Sequence, residues 1–77
     1  MVEWEDAIDL LEVITEREER KYSDIPGFDG DIEASTEKAL CLVCNGKEVW
    51  FPHSQLRKAE DGQSIYASNW ILEQKGL

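Results

Sequence analysis

The 77-residue chain is short of cysteine, histidine and basic residues and has no long apolar run, and each shortage closes off a class of function. Two cysteines cannot build the disulfide framework of a small secreted domain. No apolar stretch approaches the ~20 residues of a membrane span, and the acidic start at Met1 to Asp6 lacks the basic region of a secretory signal. Eight Lys and Arg stand against seventeen Asp and Glu, a net charge of −9. That balance opposes direct, non-specific binding to nucleic acid or to an anionic membrane. No glycine loop of the phosphate-cradling kind and no metal-helix motif is present. The chain is expected to be soluble and cytoplasmic, with no membrane partner.

What remains is 42% apolar, with three Trp, two Phe and two Tyr, which fits one folded domain over residues 1–77. A chain this short buries only ~60% of its unfolded surface, so a homo-oligomer or a bound ligand would add stability. The charge is unevenly placed. Residues 1–37 carry three Lys and Arg against thirteen Asp and Glu, a net of −10, whereas residues 38–77 carry five against four, a net of +1. The acidity keeps the chain soluble or presents an acidic surface to a basic partner, as a nucleic-acid mimic does.

Residues 3–22 read as one amphipathic helix. Trp4, Ala7, Ile8, Leu11 and Ile14 recur at helical spacing, and Leu10 and Val13 widen the stripe. Acids at its start and Arg17, Arg20 and Lys21 at its end suit the helix dipole. Pro26-Gly27 and Asp29-Gly30 mark residues 23–37 as an acidic loop. Its Asp29, Asp31 and Glu33 lack the spacing of a twelve-residue calcium loop, so no metal is expected.

Asn45-Gly46 between two apolar runs predicts a hairpin with a type I′ turn over residues 38–51. Its register sets Cys44 opposite Lys47, Leu42 opposite Val49, Cys41 opposite Trp50 and Leu40 opposite Phe51. Leu40, Leu42, Val49 and Phe51 then share a core face, and Ala39, Cys41, Val43 and Trp50 share the other. Ser64 to Ala67 reads as a third strand, and Ser68 or Asn69 caps a helix over Trp70 to Lys75, with Gly76-Leu77 as its left-handed stop. The predicted fold is α+β: an N-terminal amphipathic helix, a three-stranded antiparallel meander and a short C-terminal helix.

Cys41 and Cys44 form a C-x-x-C, but in a strand they point to opposite faces and read as apolar fillers. His53-Ser54 are adjacent, yet a catalytic triad is made by geometry and not by sequence proximity. No enzyme activity and no cofactor are expected. Trp50, His53, Ser54 and Gln55 at the hairpin end combine flat apolar surface with donors and acceptors, as small-ligand sites do.

The stretches "KALCLVCNGKEVWFPHSQL" and "SNWILEQKGL" resemble a family of small bacteriophage proteins. In that family an apolar strand leads through an N-G or D-G turn into a G-x-E-V-W-x-P-K-S-Q segment, and a Trp- and Leu-containing helix ending Lys-Gly-Leu closes the chain. The match covers about residues 38–77 through Gly46, Glu48, Trp50, Pro52, Ser54, Gln55, Trp70, Lys75, Gly76 and Leu77. His53 stands where the pattern has Lys, and Phe51 replaces a smaller aliphatic residue. The resemblance implies a phage origin and residence in the host cytoplasm.

Together these features lead to a non-enzymatic counter-defence binding protein. In one form, a homo-oligomeric sponge sequesters a nucleotide-derived immune signal through Trp50, His53, Ser54, Gln55 and Trp70, with bases stacking on the aromatics. In the other, Trp4, Glu5, Asp6, Asp9 and Leu10 of the acidic helix press on a host defence protein, as an anti-CRISPR or nucleic-acid mimic would.

Overall fold

Asn45 and Gly46 both take positive φ, 54° and 77°, and set the pairing of the strands on either side. These are β4 (Ala39–Cys44) and β5 (Lys47–Pro52), in the predicted register from Cys44 opposite Lys47 to Ala39 opposite Pro52. Leu40, Leu42 and Phe51 are fully buried in the core with Val49 packed against it, whereas Cys41 and Trp50 lie on the opposite face. The computed structural model describes residues 2–77 and combines two sheets with two short helices, an α+β arrangement in which strand predominates.

The single helix expected over residues 3–22 is not formed. Only α1 (Trp4–Ile8) is helical, and Asp9 caps it. The chain then makes β1 (Glu12–Val13), a helical turn over residues 16–21, and β2 (Tyr22–Asp24). Two causes are visible. The β-branched run Val13-Ile14-Thr15 favours extended backbone, and β1 finds a parallel partner in a strand distant in sequence. Thr15 then starts a new turn, its backbone N–H and hydroxyl both donating to Glu18 Oε1 at 3.2 Å, the first of which is one arm of a capping box. Within the predicted stripe, Ala7, Ile8 and Leu11 are core, but Leu10 is 57% exposed and Val13 41%.

Residues 23–37 are likewise more than a loop. β3 (Phe28–Ser35) pairs antiparallel with β4, so the three-stranded sheet has the order β3-β4-β5. Two register shifts in β3 let Ile32 reach the core while Asp29, Asp31 and Glu33 stay in water. The meander exists, but its third strand is β3 and not the stretch near Ile65.

That stretch is β7 (Ile65–Ser68), and it belongs to a second sheet. A 3₁₀ turn at His53–Gln55 carries the chain from β5 into β6 (Leu56–Lys58), a strand the sequence reading does not contain. The second sheet runs β1-β6-β7-β2, with β1 parallel to β6 and the other pairs antiparallel. One apolar cluster joins both sheets and both helices, including Ile8 of α1, Ile32 and Phe51 of one sheet, and Leu56 and Ile65 of the other.

Helix α2 (Asn69–Gln74) forms where expected. Ser68 Oγ accepts from Ile71 N–H at 3.1 Å, and the chain leaves through Gly76 at φ 74°. Leu77 N–H reaches Leu72 O at 2.9 Å and Gly76 N–H reaches Glu73 O at 3.1 Å, the two bonds of a Schellman stop.

Gly27, at φ 73°, joins β2 to β3 and accepts from Asn45 N–H at 2.8 Å. A Cβ there would collide with the Asn45 side chain, whereas a Cβ on Gly30, at φ 93°, would meet nothing. Gly27→Ala and Gly30→Ala each force a left-handed residue, costing roughly 1–2 kcal/mol. Gly27→Ala is expected to lower the urea midpoint further than Gly30→Ala, because only it also displaces the hairpin turn.

Candidate functional site

The hairpin-end residues occupy the chain's passage from one sheet to the other. Pro52 ends β5, and His53 N–H donates to Lys38 O at 2.7 Å, which continues the ladder by one row. His53 is half-buried with Nε2 enclosed and without a hydrogen-bond partner. Ser54 is exposed, and its carbonyl accepts from Arg57 Nη1 at 3.1 Å. Gln55 turns inward, where its Oε1 accepts from Ser68 Oγ–H, and that same Ser68 oxygen caps α2. Gln55 therefore supports a helix cap. Trp50 is 44% exposed on β5 and Trp70 59% exposed on α2. The two Trp side chains offer free surface, but Trp50, His53, Ser54, Gln55 and Trp70 line none of five surface clefts of about 280 to 670 Å³.

The N-terminal set divides too. Trp4 packs into its own fold, stacked on Phe28 with ring centroids 6.2 Å apart, and its Nε1–H donates to Gly62 O at 2.8 Å. Trp4 is thus an internal anchor between α1 and the turn before β7. Glu5, Asp6, Asp9 and Leu10 are exposed.

A larger feature runs across the second sheet. One cleft of about 670 Å³ is lined by residues including Val13, Ile14, Glu16, Glu19, Glu60, Asp61 and Tyr66. It shares Ile14, Glu19 and Tyr66 with a second cleft of about 400 Å³ that adds Tyr22, Ser23 and Asp24. It shares Ala59, Glu60 and Asp61 with a third of about 360 Å³ that adds Trp4, Glu5, Ile8, Asp9 and Lys58. The three form an acid-edged band with an apolar and aromatic floor. Seven carboxylates line it (Glu5, Asp9, Glu16, Glu19, Asp24, Glu60 and Asp61), against Lys58 as the one basic lining residue. Glu5 and Asp9 of the predicted partner set belong to it, whereas Asp6 and Leu10 do not. The charge split between the chain's halves hinted at such a surface. Glu60 and Asp61 come from the other half, and only the fold brings them in.

Arg57 organises the sheet beneath. Its Nε donates to Glu18 Oε2 at 2.9 Å, its Nη2 lies 3.8 Å from Glu12, and its guanidinium sits 5.0 Å from the Tyr22 ring centroid. The cation is thus engaged within the protein and leaves the band's carboxylates unneutralised. Burial alone would raise the Glu18 carboxyl, but the Thr15 backbone N–H and the Arg57 guanidinium outweigh it and hold the pKa below its ordinary value.

Both cysteines are free and buried, Cys44 in the core and Cys41 on the far face of the sheet. Burial pushes both thiols up, and the Glu48 and Glu33 carboxylates add to it for Cys41, so neither is an activated thiolate. Among the described residues no group of three or more His, Cys, Asp or Glu is arranged to hold a metal ion. No helix among them is long and apolar enough to cross a membrane. No protein-family model matches the chain, and no curated protein or solved structure matches it.

The Glu18–Arg57 pair predicts a pH dependence. A carboxyl held below its ordinary value of 4.5 stabilises the fold fully above that value and loses its contribution as pH falls through the folded value. Glu18→Gln is expected to melt below the wild type at pH 7, with the gap closing as pH falls below 4.5 through the folded value. Melting curves across that range check it, and a gap that stays constant would remove the ion pair as its cause.

Proposed function

We propose that the protein is a non-enzymatic phage counter-defence protein that acts by occupying a basic surface of a host defence protein, in the manner of an anti-CRISPR or nucleic-acid mimic. The observation that carries this reading is the acid-edged band, seven carboxylates around an apolar floor with one lysine among them. A nucleic-acid-binding groove is built to receive such a row of negative charges. The field of −9 speeds encounter with a basic partner, and Tyr22, Tyr66, Val13 and Ile14 supply apolar contact once it arrives. The phage origin implied by residues 38–77 is consistent with a target in the host cytoplasm.

The test is protection of a targeted phage in cells carrying an active CRISPR interference system, repeated across effector types, with and without the protein. Glu16→Lys, Glu19→Lys and Glu60→Lys together replace exposed side chains that accept no hydrogen bond in the fold. The triple variant is expected to melt at or above the wild type, because the reversal relieves repulsion among the band's carboxylates, and to lose protection of the phage. In vitro, inhibition of the effector's DNA binding should weaken as salt shortens the Debye length below ~10 Å. Protection that survives the triple reversal would sink the reading.

A second reading keeps some support from Trp50 and Trp70, both exposed, and from the unpartnered His53 Nε2. In it an oligomer holds a nucleotide-derived signal at the hairpin end. A thermal-shift screen against cyclic nucleotides and ADP-ribose-type molecules tests it, since a ligand at a hundred times its Kd adds ~2.7 kcal/mol, on the order of 10 °C here. Trp70→Ala is the informative variant because Gln55→Ala would also disturb the cap of α2. A shift abolished by Trp70→Ala would favour this reading over the first, and no shift across the panel would end it.

A further inference from the structure

Strand β5 ends the three-stranded sheet, and among the described residues no other strand pairs with its outer side. Which of its backbone groups face outward follows from the hairpin. In a two-residue type I′ hairpin the residues flanking the turn form a hydrogen-bonded pair, and such pairs recur at every second row. Cys44–Lys47, Leu42–Val49 and Leu40–Phe51 are therefore the bonded rows, and His53 N–H on Lys38 O at 2.7 Å continues the same series. The N–H and C=O groups of Glu48 and Trp50, and the C=O of Pro52, consequently point away from β4 along the free edge. Pro52 has no N–H to lose there, which is where an edge strand tolerates proline.

This edge is self-complementary, and the geometry points to a second copy of the chain as its occupant, pairing β5 with β5 antiparallel about a two-fold axis at Trp50. In that register the two Trp50 residues exchange both of their outward hydrogen bonds, and each Glu48 N–H donates to the partner's Pro52 carbonyl. The exposed Trp50 rings then become cross-strand neighbours on one face, a favourable aromatic pair. A register centred on Val49 would instead set each Glu48 side chain directly beside the partner's Trp50. Charge favours the same edge. Residues 1–37 carry −10 and residues 38–77 carry +1, and β5 itself carries Lys47 and Glu48, so two copies meet here with less repulsion than contact through the acidic half would bring. No residue of β5 lines the acid-edged band, so the pairing leaves that surface free.

Sedimentation across a concentration series, paired with amide hydrogen exchange on the unmodified chain, tests the proposal. The expected result is a species of twice the 8.8 kDa chain mass, in which the Glu48 and Trp50 amides exchange at least about tenfold more slowly than in the dilute monomer. Glu48→Pro removes one outward donor without touching the β4 ladder and should shift the equilibrium to monomer with the hairpin intact. Trp50→Cys should oxidise to a linked dimer, since paired Cα atoms at about 5.5 Å lie within disulfide reach. A chain that stays monomeric at millimolar concentration overturns the proposal. So does a dimer in which those two amides remain unprotected, a reading that stands even where a variant fails to fold.

Discussion

The two positive φ angles at Asn45 and Gly46 are the constraint on which most of this fold depends. A strand's side chains alternate, so a slip of one residue in the hairpin would send Leu40, Leu42 and Phe51 to the water side. The turn prevents that slip. It also fixes which amides of β5 bond to β4 and which face outward, so the same two residues that build the core define the free edge. Gly27 extends the constraint to the front half. Its carbonyl takes the Asn45 N–H, and its missing side chain leaves room for the Asn45 amide, which seats the β2–β3 turn against the hairpin turn. Beyond β5, the row that joins His53 to Lys38 aims the 3₁₀ turn into the second sheet.

Charge is organised around that frame. The four-stranded sheet spends its one arginine internally: Arg57 holds Glu18 and Glu12 and covers Tyr22, so it ties β6 to β1, to the turn at residues 16–21 and to β2. An exposed ion pair contributes little, but Arg57 is well covered and also donates to the Ser54 and Leu56 carbonyls. The neighbouring Glu16, Glu19, Asp24, Glu60 and Asp61 receive no such partner. Their mutual repulsion is a cost to the folded state, and a basic partner that enters the band relieves it. That relief is a differential gain on binding which a neutral groove of the same shape would not have.

The parts that were legible in the sequence are those whose signals are local. Asn-Gly between two apolar runs fixed the hairpin and its register, and Ser68 with Gly76 fixed both ends of α2. The front half was misread because its pattern serves two structures. Trp4, Ala7, Ile8 and Leu11 suit a helix, but a stripe continued through Leu10, Val13 and Ile14 rests on residues that lie partly in water. What decides between helix and strand there is the parallel pairing of Glu12 with Arg57, 45 positions away, which no window over residues 3–22 contains. β3 was hidden by Asp29-Gly30-Asp31, turn-like residues that a bulged strand accommodates on its wet side. β6 was hidden by its length. The candidate site was less legible than the fold. Gln55 looked like a free donor because nothing local marks it as the acceptor for Ser68, and the acid-edged band joins three separated segments.

Two exposed tryptophans are unusual in so small a chain. A single core drawn from 77 residues leaves little stability in reserve, so large apolar side chains are needed inside. Phe51, Leu56 and the half-buried Trp4 serve that need, while Trp50 and Trp70 do not. Trp50 stands opposite Cys41 on the outer face of the three-stranded sheet, beside an edge with free hydrogen-bonding groups. Burying that edge against a copy of itself would add backbone bonds and aromatic area where the monomer has least of both. It would also set two acid-edged bands on one particle. Two bands joined by a rigid sheet engage a target with repeated basic surfaces far more tightly than one does, provided that their spacing matches. Pairing at β5 and binding at the band would then be compatible uses of two separate surfaces: the edge would meet a copy of itself, and the acid-edged band would be left to meet something basic.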